Sequence, residues 1–123
     1  MHNPGLIKSL RAGAPIEANR IVKFGADDLH IITAAAATDA SIGVTPLGAP
    51  AAEDVCDFAT EGLCTVEYGG TVTRGQPLTS DAEGRAVVAD AAGNRVIGIA
   101  MVSGVVGDLG SVKIAPSTFA AGA

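Results

Sequence analysis

The sequence predicts an all-β fold, a small β-sandwich or barrel-like domain built from two related halves. Turn signals rich in Gly, Pro, Asn and Asp recur about every 8 to 12 residues, which is the spacing of short strands in sandwiches and barrels. A short motif also repeats, since SIGVT at 41–45 is echoed 55 positions later by VIGIA at 96–100. Upstream, GAPIEAN at 13–19 and GTVTRGQ at 70–76 each precede an extended run. Two such units in one short chain indicate an internal duplication.

The first element is an extended N-terminal arm, residues 1–14, whose apolar run LIKSLR at 6–11 lies between two breaker segments. The run is too short for a stable isolated helix. Its three large apolar side chains need a partner, and its two basic residues make the arm positive. We therefore predict that the arm binds another protein surface, and the alternative is that it packs on its own domain or on a neighbouring subunit. The predicted contact residues are Leu6, Ile7, Lys8, Leu10 and Arg11.

The β-rich domain, residues 15–116, consists of short strand-like runs separated by turns. In the first half we predict strands at 20–24, 29–33, 42–45, 55–59 and 63–68, the last two on either side of a Glu-Gly turn. In the second half we predict strands at 78–80, 86–89, 95–102 and 111–115. An alanine run at 34–37 could make one helical turn but no more, because no amphipathic pattern extends it. The small-residue tail, residues 117–123, closes the chain, and we expect it to be mobile.

Charge and composition exclude two classes of partner and favour a third. The net charge is −5, and no Lys or Arg stands between Lys23 and Arg74. An acidic chain without a basic stripe is a poor nucleic-acid binder, so we predict no nucleic-acid partner. No secretory signal and no membrane-spanning run is visible, so we also predict no membrane association. Aromatic residues make up only 3% of the chain, and because they supply the largest buried areas, we expect a second copy to supply part of the stability.

The residues that could carry chemistry form no recognisable catalytic, metal or phosphate site. A strand would place Asp28 and His30 on one face, but no nucleophile is tied to them. The acidic pairs at 27–28 and 53–54 lack the spacing of a calcium loop. The Gly-rich segment 104–110 lacks a phosphate-loop signature, and we interpret its glycines as turn residues. We therefore predict that the protein is not an enzyme and binds no cofactor or metal.

The cysteines and lysines raise two further alternatives, a disulfide and a carrier lysine. Cys56 and Cys64 could face each other on a hairpin, but a chain without a secretory signal favours free, packed thiols. Segment 70–78 resembles the turn of lipoyl or biotinyl carrier modules. None of the lysines has the neighbours of the modified lysine in such a module, which makes a carrier function an alternative only.

The order and spacing of five segments resemble a known family. They are AGAPI at 12–16, RIVKFG at 20–25, ATDASIGV at 37–44, GQPLTSDAEGRA at 75–86 and NRVIGIA at 94–100. Together they resemble the small capsid decoration, or cement, proteins of tailed bacteriophages, over roughly residues 12–115. The resemblance implies a β-rich domain that trimerises on the outside of an expanded phage head, where it clamps neighbouring shell subunits. It implies no catalytic residues.

The residues and the resemblance together predict a structural virion protein that binds the outer surface of a phage head and stabilises the capsid lattice. Its expected partners are the major capsid protein and further copies of itself in a homotrimer, and its site of synthesis is the cytoplasm of the bacterial host. The basic arm would contact the shell while the acidic body faces solvent. The alternative is a generic oligomeric β module, such as a phage tail or fibre component or a carrier-like domain.

Overall fold

The computed structural model describes the backbone of residues 3–120 and the side chains of residues 7–120. It is all-β, as predicted. The strands, in chain order, are β1 (Asn3–Ala12), β2 (Arg20–Phe24), β3 (His30–Thr33), β4 (Ser41–Thr45), β5 (Val55–Glu67), β6 (Pro77–Ser80), β7 (Ala86–Val88), β8 (Arg95–Ala100) and β9 (Leu109–Thr118). Within the described residues no helix is long and apolar enough to cross a membrane.

Strands β1 to β5 form a closed five-stranded barrel, which we call the first barrel. Its strand order is β1-β3-β2-β4-β5, and β5 returns to β1. The β1–β3 pair is parallel and the other pairs are antiparallel. The interior is narrow and is filled mainly by small and medium side chains, namely Ala12, Ile16, Val22, Ile31, Ala49, Cys56 and Phe58.

Strand β5 continues into a second unit, the second barrel, with the strand order β5-β9-β8-β6-β7. A bridge between Tyr68 and Ala86 brings β7 back to the end of β5, and the Gly69 N–H donates to the Ala86 carbonyl at 2.9 Å. The second barrel is therefore closed by one bridge, whereas the first is closed by a full strand pair. Both barrels share β5, which is why the structure forms one continuous sheet.

The two halves have the same topology, which confirms the predicted duplication. The order β3-β2-β4-β5 in the first half matches β7-β6-β8-β9 in the second. The SIGVT motif is β4 and the VIGIA motif lies in β8, so the two copies occupy equivalent strands. The connecting loops match as well, because Ile16 and Ala49 donate to each other's carbonyls at 2.8 Å, and Val72 and Gly104 do so at 2.9 Å.

The repeated segments 13–19 and 70–76 align one position differently in the structure than in the sequence. The Gly13 N–H donates to the Ile31 carbonyl at 2.8 Å, and the Gly69 N–H donates to the Ala86 carbonyl at 2.9 Å. Gly13 therefore matches Gly69, whereas the sequence comparison aligned it with Gly70. Two consecutive glycines make the alignment ambiguous, and only the hydrogen bonds distinguish between them.

The segment predicted as a separate arm is strand β1 of the first barrel. It pairs with β5 at eight positions, from Asn3↔Leu63 to Arg11↔Val55. This is the alternative in which the arm packs on its own domain. The physical reason is that β5 would otherwise present an unpaired edge to solvent. At the other end β9 runs to Thr118, so the predicted tail begins inside a strand, and residues 121–123 lie outside the described part.

Residues 55–67 form one strand, so the predicted turn at Glu61-Gly62 is wrong. Gly62 has a φ of 83°, a conformation that suits glycine, and the strand continues through it. The two parts of β5 have different main neighbours, since 55–63 pairs with β1 and 62–67 pairs with β9. The glycine thus marks the place where the strand passes from one barrel to the other.

The two barrels pack side by side through what we call the internal barrel contact. From the first barrel, Ile21, Val44 and Ala59 are fully buried in one cluster with side chains of the second barrel. The Ile21 N–H donates to the Gly84 carbonyl at 2.8 Å, and the Arg95 N–H donates to the Ala37 carbonyl at 2.7 Å. The contact therefore combines a dry apolar layer with backbone hydrogen bonds between the halves.

Gly43 and Gly98 occupy matching positions in β4 and β8, and both lie tightly against the next strand. A Cβ atom on Gly43 would collide with the Ala59 carbonyl oxygen, and one on Gly98 would collide with the Lys113 carbonyl oxygen. Neither collision can be relieved by a side-chain rotation, because the obstacle is backbone. The repeated glycine of the motif is therefore a packing requirement of both barrels.

We predict that Gly43→Ala and Gly98→Ala each lower the free energy of unfolding by about 1–3 kcal/mol, because the added methyl group forces the strands apart. Urea denaturation measures the change. Gly70→Ala is the matched control, since its Cβ would lie 3.7 Å from Val87 Cγ1, an ordinary contact. Equal losses for all three variants would contradict the packing explanation.

The cysteines are free and buried, as predicted. Cys56 lies in the first barrel with its Sγ 3.3 Å from Thr45 Oγ1, and Cys64 lies in the cluster between the barrels. Burial raises the pKa of the Cys64 thiol to about 11 and also raises the pKa of Cys56. Both thiols are therefore protonated and shielded at neutral pH.

We predict that both thiols resist a thiol-specific reagent at pH 8 in the native protein and react fully in urea. Cys56→Ala and Cys64→Ala should each cost about 1 kcal/mol of unfolding free energy, because they remove a small packed group. Absorbance on labelling and urea denaturation measure these effects. A disulfide detected by mass measurement under non-reducing conditions would refute this assignment.

Candidate functional site

The residues predicted to contact a partner lie along β1, and the structure divides them into two groups. Ile7 is 43% exposed, and Lys8 is exposed beside it. Leu10 packs against the core of the first barrel, and Arg11 Nη1 donates to the Glu53 carbonyl at 2.8 Å. The side chain of Leu6 lies outside the described part. Ile7 and Lys8 lie on opposite faces of β1, since they pair with Ala59 and Phe58, and both are exposed enough to contact a partner. Leu10, by its packing, and Arg11, by its hydrogen bond, hold β1 in the barrel wall.

A polar cluster lies where β1 ends, between two solvent-open hollows of about 420 and 470 Å³. His30 stands in both hollows. Its Nδ1 lies 2.7 Å from Asp27 Oδ1, and its Nε2 lies 2.7 Å from Glu53 Oε2. The partner of His30 on the β2–β3 turn is therefore Asp27. The sequence pattern predicts Asp28, which is wrong. The reason is local, since Asp27 Oδ1 also accepts the Leu29 N–H at 3.0 Å, which turns this carboxylate towards the ring.

The geometry of this cluster favours a charged imidazole. Both ring nitrogens of His30 face carboxylates, whereas a neutral imidazole has only one N–H to donate. The hydrogen bond to Asp27 is the main cause that raises the pKa of His30, and the hydrogen bond to Glu53 is the next. The hydrogen bond from His30 in turn lowers the pKa of Asp27. The cluster ties the β2–β3 turn to the loop before β5, and the described residues contain no group of His, Cys, Asp and Glu that could hold a metal.

The second barrel has a permanent cation at the matching place. Arg85 precedes β7 as His30 begins β3, because Ala86 pairs with Ser80 in the same way that Ile31 pairs with Phe24. Arg85 Nε lies 3.0 Å from Asp81 Oδ2, and Coulombic attraction to Asp81 raises the pKa of Arg85. In each barrel a cation bonded to carboxylates holds the hairpin turn in place. Of the two cations, His30 can lose its proton near neutral pH and Arg85 cannot.

The β8–β9 loop exposes apolar side chains that are not among the predicted site residues. They are Met101, Val102, Val105 and Val106, and Leu109 at the start of β9 adjoins them; all are partly or largely exposed. The loop backbone is anchored, since Tyr68 Oη donates to the Val102 carbonyl at 2.6 Å. The predicted role of the glycines around these residues is to form turns, and Gly107 has a φ of 87°. The valines between the glycines were the available signal for a second exposed surface.

Comparison with known proteins gives one family and one fold. A profile of the family described as phage cement protein matches residues 3–114. The solved structure of the head fiber gp8.5 N base in bacteriophage phi29 is similar, with a TM-score of 0.73 and 23% sequence identity. The alignment covers 94% of this chain and 98% of that chain. At this identity the likeness shows the fold alone. No curated protein matches the chain.

We predict that His30 makes stability depend on pH. A histidine pKa that is raised by folding adds stability below about pH 6.5, and this stability is lost as pH rises through the folded-state value. The lowered pKa of Asp27 acts in the opposite sense, and its contribution is lost at acid pH. In a His2→Gln background, urea midpoints should therefore fall between pH 6 and pH 8.

His30→Arg is the matched variant, because it places in the first barrel the cation that Arg85 supplies in the second. It should remove the fall in midpoint between pH 6 and pH 8, and His30→Gln should remove it while lowering the midpoint at pH 6. Circular dichroism confirms that each variant folds. A fall that persists in both variants would assign the pH dependence to another group.

Proposed function

The chain belongs to the phage cement protein family, and we propose that it binds the outer surface of a phage head and stabilises the capsid lattice. The observation that carries this proposal is the family match, which covers residues 3–114 and so includes both barrels. The protein is a phage structural protein. Its proposed partners are the major capsid protein and two further copies of itself, and we propose a structural and not an enzymatic role on the virion surface.

Two exposed side chains of β1 support a contact with the shell. Ile7 offers exposed apolar surface and Lys8 offers a positive charge, on a chain whose net charge is −5. A basic spot on an otherwise acidic protein orients its approach to an acidic surface. We propose that Ile7 and Lys8, with Leu6, touch the shell. Leu10 and Arg11 support them, because one packs on the barrel core and the other is bonded to the loop before β5.

A fibre base is the second candidate function, and one observation favours it. The chain matches almost the whole length of the phi29 head fiber base in fold. That protein is named as the base of a head fiber, so this second candidate predicts a projection that extends beyond the two barrels. Images of the native particle separate the two. Compact knobs favour the cement function, and projections longer than the two barrels favour the fibre base.

We predict that Ile7→Asp and Lys8→Glu weaken binding to heads that lack this protein. Loss of a buried isoleucine contact removes about 1.5–3 kcal/mol per subunit, so Ile7→Asp should weaken binding by at least about tenfold. Lys8→Glu should weaken it more at low salt than at high salt, because a surface charge is screened. Co-sedimentation with the heads measures binding, and the temperature of DNA release measures stabilisation.

Val106→Asp is the matched control, since Val106 is also exposed but lies on the β8–β9 loop. It should bind heads as the unchanged protein does. If it loses binding while Ile7→Asp retains it, the β8–β9 loop is the shell contact. If the unchanged protein itself does not bind heads, the proposed function is refuted.

A further inference from the structure

The internal barrel contact buries a row of three side chains that pair across neighbouring strands. Ile21 in β2 pairs with Val44 in β4, and Val44 pairs with Ala59 in β5. All three are fully buried. The row points away from the interior of the first barrel, because it belongs to the cluster that includes the second barrel. We call it the covered row.

The duplication places a matching row on the second barrel. Pro77 in β6 pairs with Ile99 in β8, and Ile99 pairs with Lys113 in β9. Here Pro77 is only half-buried, Ile99 is 41% exposed and Lys113 is exposed. We call this the open row. The same face of the same sheet is thus covered in one barrel and open in the other.

The β6–β7 turn of the second barrel covers the covered row, and the matching β2–β3 turn of the first barrel is exposed. In the second barrel, the β6–β7 turn lies against the first barrel, and a Cβ on Gly84 would collide with Thr33. The matching β2–β3 turn of the first barrel ends in Leu29, the residue before His30, as Gly84 is the residue before Arg85. Leu29 is 65% exposed. Each chain therefore has one open row on its second barrel and one unused turn on its first barrel.

We propose that the open row of one copy binds the β2–β3 turn of the next copy, in a head-to-tail contact that repeats the internal barrel contact. The proposal rests on the self-association contained in the proposed function. Identical copies that join through two different faces form a ring when the rotation closes. In a homotrimer this ring would alternate first and second barrels.

Two differences from the internal contact and one pair of opposite charges define how the copies fit. Leu29 replaces Gly84, so the turn docks less closely and the leucine side chain fills the space against Pro77 and Ile99. Lys113 replaces Ala59, and its long apolar stem can lie along the contact with the ammonium group at the rim. The exposed Asp28 beside Leu29 supplies an opposite charge on the same turn.

Strand β9 covers part of the second barrel and so limits the contact. Arg95 pairs with Thr118, and the Phe119 N–H donates to the Asn94 carbonyl at 2.8 Å. The docking area is therefore confined to the open row and its surroundings.

Cysteine cross-linking with a short bismaleimide tests the proposal, in solution and on decorated heads. A mixture of Leu29→Cys protein and Ile99→Cys protein should give covalent dimers, whereas each variant alone should give none. The double variant should give covalent species up to the closed oligomer. The native thiols do not interfere, because both are buried. Dimers from a single variant alone would show a symmetric contact and overturn the proposal.

Leu29→Asp and Ile99→Asp should each weaken self-association by at least about tenfold in sedimentation. Leu47→Asp is the control, since Leu47 is 79% exposed but follows β4 at the other end of the first barrel. Oligomers that survive both substitutions, without cross-links in the mixture, refute the surface while leaving the homotrimer intact. Monomers in solution and on heads refute both. Cross-linked oligomers that do not bind heads refute only the proposed function.

Discussion

The whole architecture depends on the pairing of one long strand, β5, which is a wall of both barrels. Its first part pairs with β1 and its last part with β9. Its side chains follow the same division, since Cys56 and Phe58 fill the first barrel and Cys64 and Val66 lie in the cluster that contains the second-barrel core. A backbone with no unpaired edge on either side needs both neighbours. Neither barrel can therefore form without a strand that belongs equally to the other.

Small side chains make two barrels possible in so short a chain. Each barrel encloses one large aromatic residue, Phe58 in the first and Tyr68 in the second. The Tyr68 ring fits because glycines surround it, and a Cβ on Gly104 or Gly110 would collide with the ring. Cores of this kind contain little apolar area to remove from water. Exposed apolar side chains outside the cores are then available for contacts with other proteins.

The duplication was readable from the sequence because its signal is local. The SIGVT and VIGIA motifs each contain a glycine that the neighbouring strand requires, so Gly43 and Gly98 persist in both copies. The role of β1 was not readable, because LIKSLR has no period of two and its partner, β5, lies about half the chain away. The continuity of β5 was missed for a related reason. Gly62 looks like a turn residue, and only the barrel-to-barrel passage explains why a strand contains it.

The outward surfaces were the least predictable part of the site. Leu29 and Ile99 lie in predicted strands, at 29–33 and 95–102, and nothing in the sequence marks them as exposed. Their exposure follows from the fold, in which Leu29 ends the β2–β3 turn and Ile99 faces outward from β8. The shared strand has a mechanical consequence as well. A force that draws the two barrels apart along β5 loads its hydrogen bonds to β1 and β9 in shear, so many bonds must break together and none can be peeled away singly. The molecule is thus built to carry tension along the axis that joins its two barrels.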